Sequence, residues 1–319
     1  MGKLAFLFPG QASQYPGRGR TLHDQVAVAR SVFEEADKAL GFSISNSCFE
    51  GTEEHLRLTP ITQPAILTVS VAAFRALEER GVTPDFVAGH SLGEYSALVA
   101  AGGLDFADAV RLVHHRGEYM QDAVPAGEGA MAAILGLAPA LVAEICKKAS
   151  DGQVISAANL NSPEQTVISG RAEAVKRAVE IASQNGAKRA VMLAVSAPFH
   201  CELMMPAQVR LEKDLRATKF HNLRFPLITN VEAEAVTTGE EAREALVKQV
   251  CLPVHWEDSI RQMVELGVNT FIEVGPGRVL SGLLRQIDRS VRCFNVEDPA
   301  SIESMLEKLA QARAETTES

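Results

Sequence analysis

The sequence predicts an α/β protein: a large domain built on a parallel sheet, interrupted by a smaller inserted domain. Three observations carry that prediction. Short apolar runs alternate with helical periodicities along most of the 319 residues. One such run, ending at Ala88, passes through a sharp turn at Ser91 into a helix-prone stretch. From about Gly127 to Val195 the order of elements changes to β-α-β-β-α-β. With 46% hydrophobic residues the chain is able to bury a large core.

Taken in order, Leu4 to Phe8 reads as a short buried strand, broken by Pro9-Gly10-Gln11-Ala12-Ser13-Gln14, a loop suited to holding a ligand. Val28 to Leu40 has helical periodicity, a looser stretch follows, and Thr59 to Pro64 leads into an apolar helix from about Ala65 to Arg80. Val82 to Ala88 is a strand, Glu94 to Ala101 a helix stopped by Gly102-Gly103, and Asp105 to Met120 a second helix. That second helix has Leu104, Ala107, Val110, Leu112 and Val113 on its buried side and Arg111, His115, Arg116 and Glu118 as polar members.

In the next segment, Ala130–Leu137, Val154–Asn159, Thr166–Ser169 and Lys188–Val195 read as strands, with helices at Pro139–Ala149 and Arg171–Asn185. This is the split βαβ, ferredoxin-like order, and it assigns residues 128–195 to an insert and residues 1–127 and 196–319 to the large domain. The large domain resumes with helices at Met205–Ala217, Glu240–Val250, Trp256–Leu266 and Val279–Ile287, and strands at Phe225–Thr229 and Thr270–Val274. Ala314 to Ser319 reads as a polar tail.

The apolar start ends at Pro9, too early for a signal peptide, and no later run is expected to span a bilayer. Five scattered cysteines without a C-x-x-C pair point to free thiols and a cytoplasmic location. A net charge of −9 with no Lys/Arg block argues against nucleic acid as the main partner.

Gly89-His90-Ser91-Leu92-Gly93 has the spacing of a nucleophile elbow, in which strand and helix approach so closely that only small residues fit two before and two after the serine. A serine nucleophile needs a base. Of eight histidines, His200 and His255 remain after those in polar or helical settings are set aside, together with His90, which as the serine's neighbour at the turn does not face it; His200, in the Pro-Phe-His-Cys loop after a strand, suits the role. No acidic residue between Ser91 and His200 stands in a strand-end loop, so the histidine is expected to be oriented by a neutral acceptor. Arg116, on a largely buried helix, either meets an anion or pairs at the surface with Glu118 or Asp122.

Several stretches together resemble the malonyl-CoA:acyl carrier protein transacylase family. They are Phe8-Pro9-Gly10-Gln11, Thr62-Gln63-Pro64-Ala65, Gly89 to Glu94, Arg116-Gly117, Asn159 to Pro163, Pro198-Phe199-His200, Gln249 with Pro253-Val254, and Glu273 to Gly277. The resemblance implies a hydrolase-like large domain carrying the ferredoxin-like insert. It makes Ser91 the nucleophile and His200 its base, gives Gln11 and Leu92 the oxyanion-binding N–H groups, and places the Gln249 carbonyl where a triad acid would stand. By the same resemblance Arg116 is expected to hold the malonyl carboxylate, Gln63 and Asn159 to line the site, and Phe199 to disfavour a 2-methyl group.

Malonyl-CoA is the implied substrate and acyl carrier protein the partner, with no permanently bound cofactor, no metal, no membrane and a monomeric state expected. Lys176, Arg177, Lys188 and Arg189 are candidates for the carrier's docking patch. Ala12 and His255 depart from residues common in the family, glycine and arginine respectively. A serine esterase or thioesterase and a non-catalytic carrier-binding protein are the competing readings. Fatty acid and polyketide pathways look alike at this level.

Overall fold

A computed structural model describes residues 2–11, 13 and 15–317; Ala12 lies outside them. Among the described residues ten strands form two sheets. They are β1 (Lys3–Phe8), β2 (Phe86–Gly89), β3 (Gly129–Leu135), β4 (Ile155–Ser162), β5 (Gln165–Arg171), β6 (Arg189–Met192), β7 (Leu227–Ile228), β8 (Ala235–Val236), β9 (Val268–Val274) and β10 (Arg292–Val296).

The larger sheet has the order β10-β9-β1-β2-β7-β8 and is parallel except for the closing β7–β8 pair. β1 lies inside it, which is why the run Leu4–Phe8 is apolar without alternation: both faces of a parallel sheet are covered. Leu4, Phe6 and Phe8 point into one core, where Phe74 meets Phe6 and Phe8 edge-on at 6.3 and 6.4 Å. Ala5 and Leu7 point into the other, beside Trp256, Ile260 and Phe271.

The helix behind Phe74 runs Thr59–Glu79, six residues earlier than the sequence reading had it. Pro60 sits at the helix start, where a missing N–H costs nothing. Pro64 lies inside and has no N–H for the Pro60 carbonyl, which His114 Nδ1 meets instead at 2.9 Å. A Cβ on Gly117 would come within 2.7 Å of the Pro60 Cα, so glycine lets the helix Phe106–Asp122 lie against this segment. Contrary to expectation, Thr59–Glu79 is long and apolar enough to cross a membrane, but it is mostly buried as a core helix.

The second sheet, in the order β4-β5-β3-β6, is antiparallel throughout, and with helices Pro139–Ala149 and Ala172–Gln184 its elements follow the β-α-β-β-α-β order. Alternation along β3 divides its residues. Ala132 and Ile134 join Val142, Ile145, Val175 and Ala178 under the two helices, whereas Met131 and Ala133 face a cavity shared with the larger sheet. Short helices at Ile44–Glu50 and Glu53–Arg57 fill the loose stretch between Leu40 and Thr59, and the helix Arg20–Gln25, β10 and the helix Pro299–Thr317 are elements the sequence does not predict. That helix carries 314–317, where the sequence predicts a polar tail.

Candidate active site

Ser91 stands on the turn between β2 and the helix Gly93–Ala100, at φ 53°. The close approach behind the elbow is explicit. A Cβ on Gly89 would lie 1.9 Å from the Gly93 carbonyl carbon, and one on Gly93 would lie 2.0 Å from the Phe8 oxygen. Asn230, just after β7, braces the turn: its Oδ1 accepts from Ser91 N at 2.7 Å and its Nδ2 donates to Gly89 O at 2.7 Å. The positive φ is strain of about 1–3 kcal/mol that these contacts must hold in place.

His200 also has a positive φ, 58°, and is buried. Its Nε2 is 2.7 Å from Ser91 Oγ and its Nδ1 is 2.8 Å from the Gln249 backbone oxygen. A carbonyl only accepts, so Nδ1 carries the proton and Nε2 offers its lone pair to the serine. Gln249 is the last residue of the helix Gly239–Gln249, and carbonyls of a last turn have no intrahelical donor. The helix end therefore supplies the acceptor that a carboxylate supplies elsewhere. Burial, helped by the positive charge of Arg116, pushes His200 down to about 3, so the imidazole is neutral at physiological pH.

Arg116 is 1% exposed and does not pair with Glu118 or Asp122. Its Nη2 donates to Ser91 Oγ at 3.1 Å and to Gln249 Oε1 at 2.9 Å, and its Nη1 donates to Gln63 Oε1 at 2.8 Å. The surface-pair alternative is thereby removed. No carboxylate among the described residues bonds this guanidinium, and Nε has no partner.

The cavity beside Ser91 has a volume of about 300 Å³ and lies at the carboxyl ends of β1 and β2, between the two sheets. Gln11, Asn159, Phe199 and His200 line it with Ser91; Leu92 is buried at the helix start, and Gln63 lies behind Arg116 rather than on the wall. Leu92 N, at the cap of its helix, has no intrahelical acceptor by position. The His255 side chain faces Asp258 at 3.1 Å, while its backbone N–H donates to the Asn230 carbonyl at 2.8 Å. Among the described residues no three His, Cys, Asp or Glu side chains converge as a metal site.

Sequence reasoning missed three residues. Asn230 directly follows the strand predicted at Phe225–Thr229, but nothing in its local sequence shows that its amide reaches the Ser91 turn. Asn161 Oδ1 accepts from His90 Nε2 at 2.8 Å on the cavity wall. Glu94 looked like an ordinary acidic residue in a first helical turn, but it is fully buried, with Oε2 accepting from Gln249 Nε2 at 2.8 Å. Of the proposed docking cations, Lys176 and Lys188 pair with Glu173 and Glu164, and Arg177 is bound to carbonyls of 149 and 150.

Residues 5–312 match the family described as acyl transferase domain. The chain is 50% identical over 98% of its length, and 98% of the relative's, to the malonyl CoA-acyl carrier protein transacylase of Bacillus subtilis. The structure of the transacylase of that name from Coxiella burnetii superposes with a TM-score of 0.94 at 44% identity, covering 97% of this chain and 98% of that one. A malonyl-transacylase solved in complex with its type II PKS acyl-carrier protein gives 0.94 at 44% identity, covering 96% and 99%. The chain belongs to the acyl transferase domain family, in the branch of the malonyl CoA-acyl carrier protein transacylases.

Proposed function

We propose that this chain transfers a malonyl group from malonyl-CoA to the phosphopantetheine thiol of an acyl carrier protein through an ester on Ser91, supplying extender units for fatty acid synthesis. The observation that carries the reading is Arg116 Nη2 at 3.1 Å from Ser91 Oγ. A serine and a neutral histidine suit any acyl transfer, but a buried guanidinium with no carboxylate of its own suits an acyl group that ends in one. The names of the relatives support the same substrate and partner.

In this scheme Ser91 Oγ attacks the thioester carbon while His200 Nε2 takes the hydroxyl proton. The N–H groups of Gln11 and Leu92 receive the developing oxyanion, each contributing about 3–4 kcal/mol in sites of this kind. Collapse breaks the C–S bond, and His200 returns its proton to the departing CoA thiolate. The carrier thiol then repeats the sequence in reverse, giving its proton to His200 as its sulfur attacks the ester. Gln249 orients His200 with its carbonyl and Arg116 with its amide, Gln63 steadies Arg116, Asn159 and Phe199 shape the wall, and Phe199 disfavours a 2-methyl group.

We read residues 1–127 and 196–319 as a hydrolase-like domain and 128–195 as a ferredoxin-like insert, which the antiparallel order β4-β5-β3-β6 supports. We further read the protein as a cytoplasmic monomer without a resident cofactor. Intact mass after incubation with malonyl-CoA tests the function: one malonyl group on the wild type and none on Ser91→Ala is expected, and equal labelling of both would refute it.

A further inference from the structure

Glu94 is a buried carboxylate to which that scheme gives no task. It is fully enclosed, and an ionised carboxylate in such surroundings is costly unless a cation answers it. The cation nearby is Arg116, but the two do not touch. Between them stands the Gln249 amide, whose Oε1 takes Arg116 Nη2 at 2.9 Å and whose Nε2 donates to Glu94 Oε2 at 2.8 Å. An arginine can only donate, so the amide has one orientation, oxygen toward the cation and NH₂ toward the carboxylate. The backbone N–H of Asn230 reaches the same Oε2 at 3.2 Å.

Both ends of this line are incompletely satisfied, since Glu94 Oε1 and Arg116 Nε have no partner. The charged and titratable groups around the carboxyl are Arg116 from the helix Phe106–Asp122, Glu232 from the turn after β7, and Tyr95 beside it. Burial is the dominant influence and pushes Glu94 up to about 8; Glu232 acts in the same direction and Arg116 against it. The group thus changes charge within the range in which the protein can be assayed.

Resting on the malonyl transfer proposed above, the geometry points to Glu94 as a specificity-determining positioning residue, which through the Gln249 amide competes with the substrate carboxylate for the charge of Arg116. With Glu94 protonated, Arg116 is left to the malonyl group. With Glu94 ionised, Arg116 already has its counter-charge, and a second carboxylate is accepted only as Glu94 takes up a proton. Acetyl groups carry no carboxylate and draw no proton. The serine proton passes through His200 to the CoA sulfur in either case, so the extra proton belongs to Glu94 alone.

The test is the rate of Ser91 loading by malonyl-CoA and by acetyl-CoA between pH 6 and 9.5, in wild type and Glu94→Gln. Glutamine keeps the acceptor oxygen and removes the charge. In wild type the malonyl-to-acetyl ratio is expected to fall about tenfold between pH 7 and 9, as expected for one unit charge at short range in a partly screened interior. In Glu94→Gln the ratio is expected to be independent of pH. A flat ratio in wild type, or an unchanged fall in the variant, would overturn the assignment. Should Glu94→Gln not fold, proton uptake by wild type during loading at pH 8.5 in weak buffer decides. More protons per malonyl than per acetyl group supports the assignment, and equal counts refute it. Wild type that takes no malonyl group at all refutes the transfer itself, a different outcome.

Discussion

His200 Nδ1 and the backbone oxygen of Gln249 stand 2.8 Å apart, and the latter is the free carbonyl at the end of a helix. A neutral acceptor fixes the tautomer as a carboxylate does, but adds only the partial charge of a helix terminus to the imidazolium formed during transfer. Burial and Arg116 hold His200 at about 3. Loading by acetyl-CoA is therefore expected to show no acidic limb between pH 5 and 8, and Arg116→Ala, which removes one depressing charge, is expected to move the limb upward. A midpoint near an ordinary imidazole value of about 6.5 in wild type would contradict this.

The same shift has a sign for stability. His200 is neutral in the folded state below the pH at which an unfolded imidazole gains its proton, so it destabilises the fold progressively as pH falls from about 6.5 toward 3. Urea unfolding at pH 7 and pH 5 is expected to show a smaller loss in His200→Gln than in wild type.

Arg116→Ala is expected to lower malonyl loading about a hundredfold or more, taking ~3 kcal/mol for a buried charge pair cut on one side. Acetyl loading is expected to fall much less. Equal losses, measured as kcat/KM for both acyl-CoAs, would mean that the arginine only supports the fold.

Gly93→Ala places a Cβ 2.0 Å from the Phe8 oxygen, a backbone atom that cannot swing aside. A loss of about 3 kcal/mol or more is expected, at the upper end of overpacking costs, and denaturant unfolding measures it.

Arg278, Arg285 and Arg289 are exposed on and beside the helix Val279–Ile287, whose Val279 and Leu283 line the cavity, and none meets a carboxylate among the described residues at ion-pair distance. Charge reversal of Arg278 and Arg285 is expected to raise the KM for carrier protein about tenfold. No change in carrier KM would show that the carrier does not dock on this face.

Much of this was legible in the sequence because local sterics dictate it. Gly89 and Gly93 announce an elbow, and the unalternating Leu4–Phe8 run announces a strand covered on both faces. The order of elements between 128 and 195 was readable because short apolar strand runs there are separated by two amphipathic helical stretches, Pro139–Ala149 and Ala172–Gln184. The start of Thr59–Glu79 was not, since Pro60 and Pro64 resemble loop residues until His114 is seen to meet the carbonyl that Pro64 leaves free. Arg116 could not be sorted between surface pair and buried cation by helical position, because its depth depends on Gln63 and Gln249 from distant segments. Gln249 itself has no local signature: a helix-terminal glutamine becomes informative only when a histidine 49 positions away is brought to its carbonyl.

In the proposed transfer Ser91 holds a malonyl group for a thiol. Wild-type enzyme loaded with malonyl-CoA, freed of CoA and mixed with holo carrier protein, is to be followed by intact mass of both proteins. The expected result is loss of the malonyl group from the enzyme in step with its appearance on the carrier. Release of free malonate at the same rate with and without carrier would contradict the account.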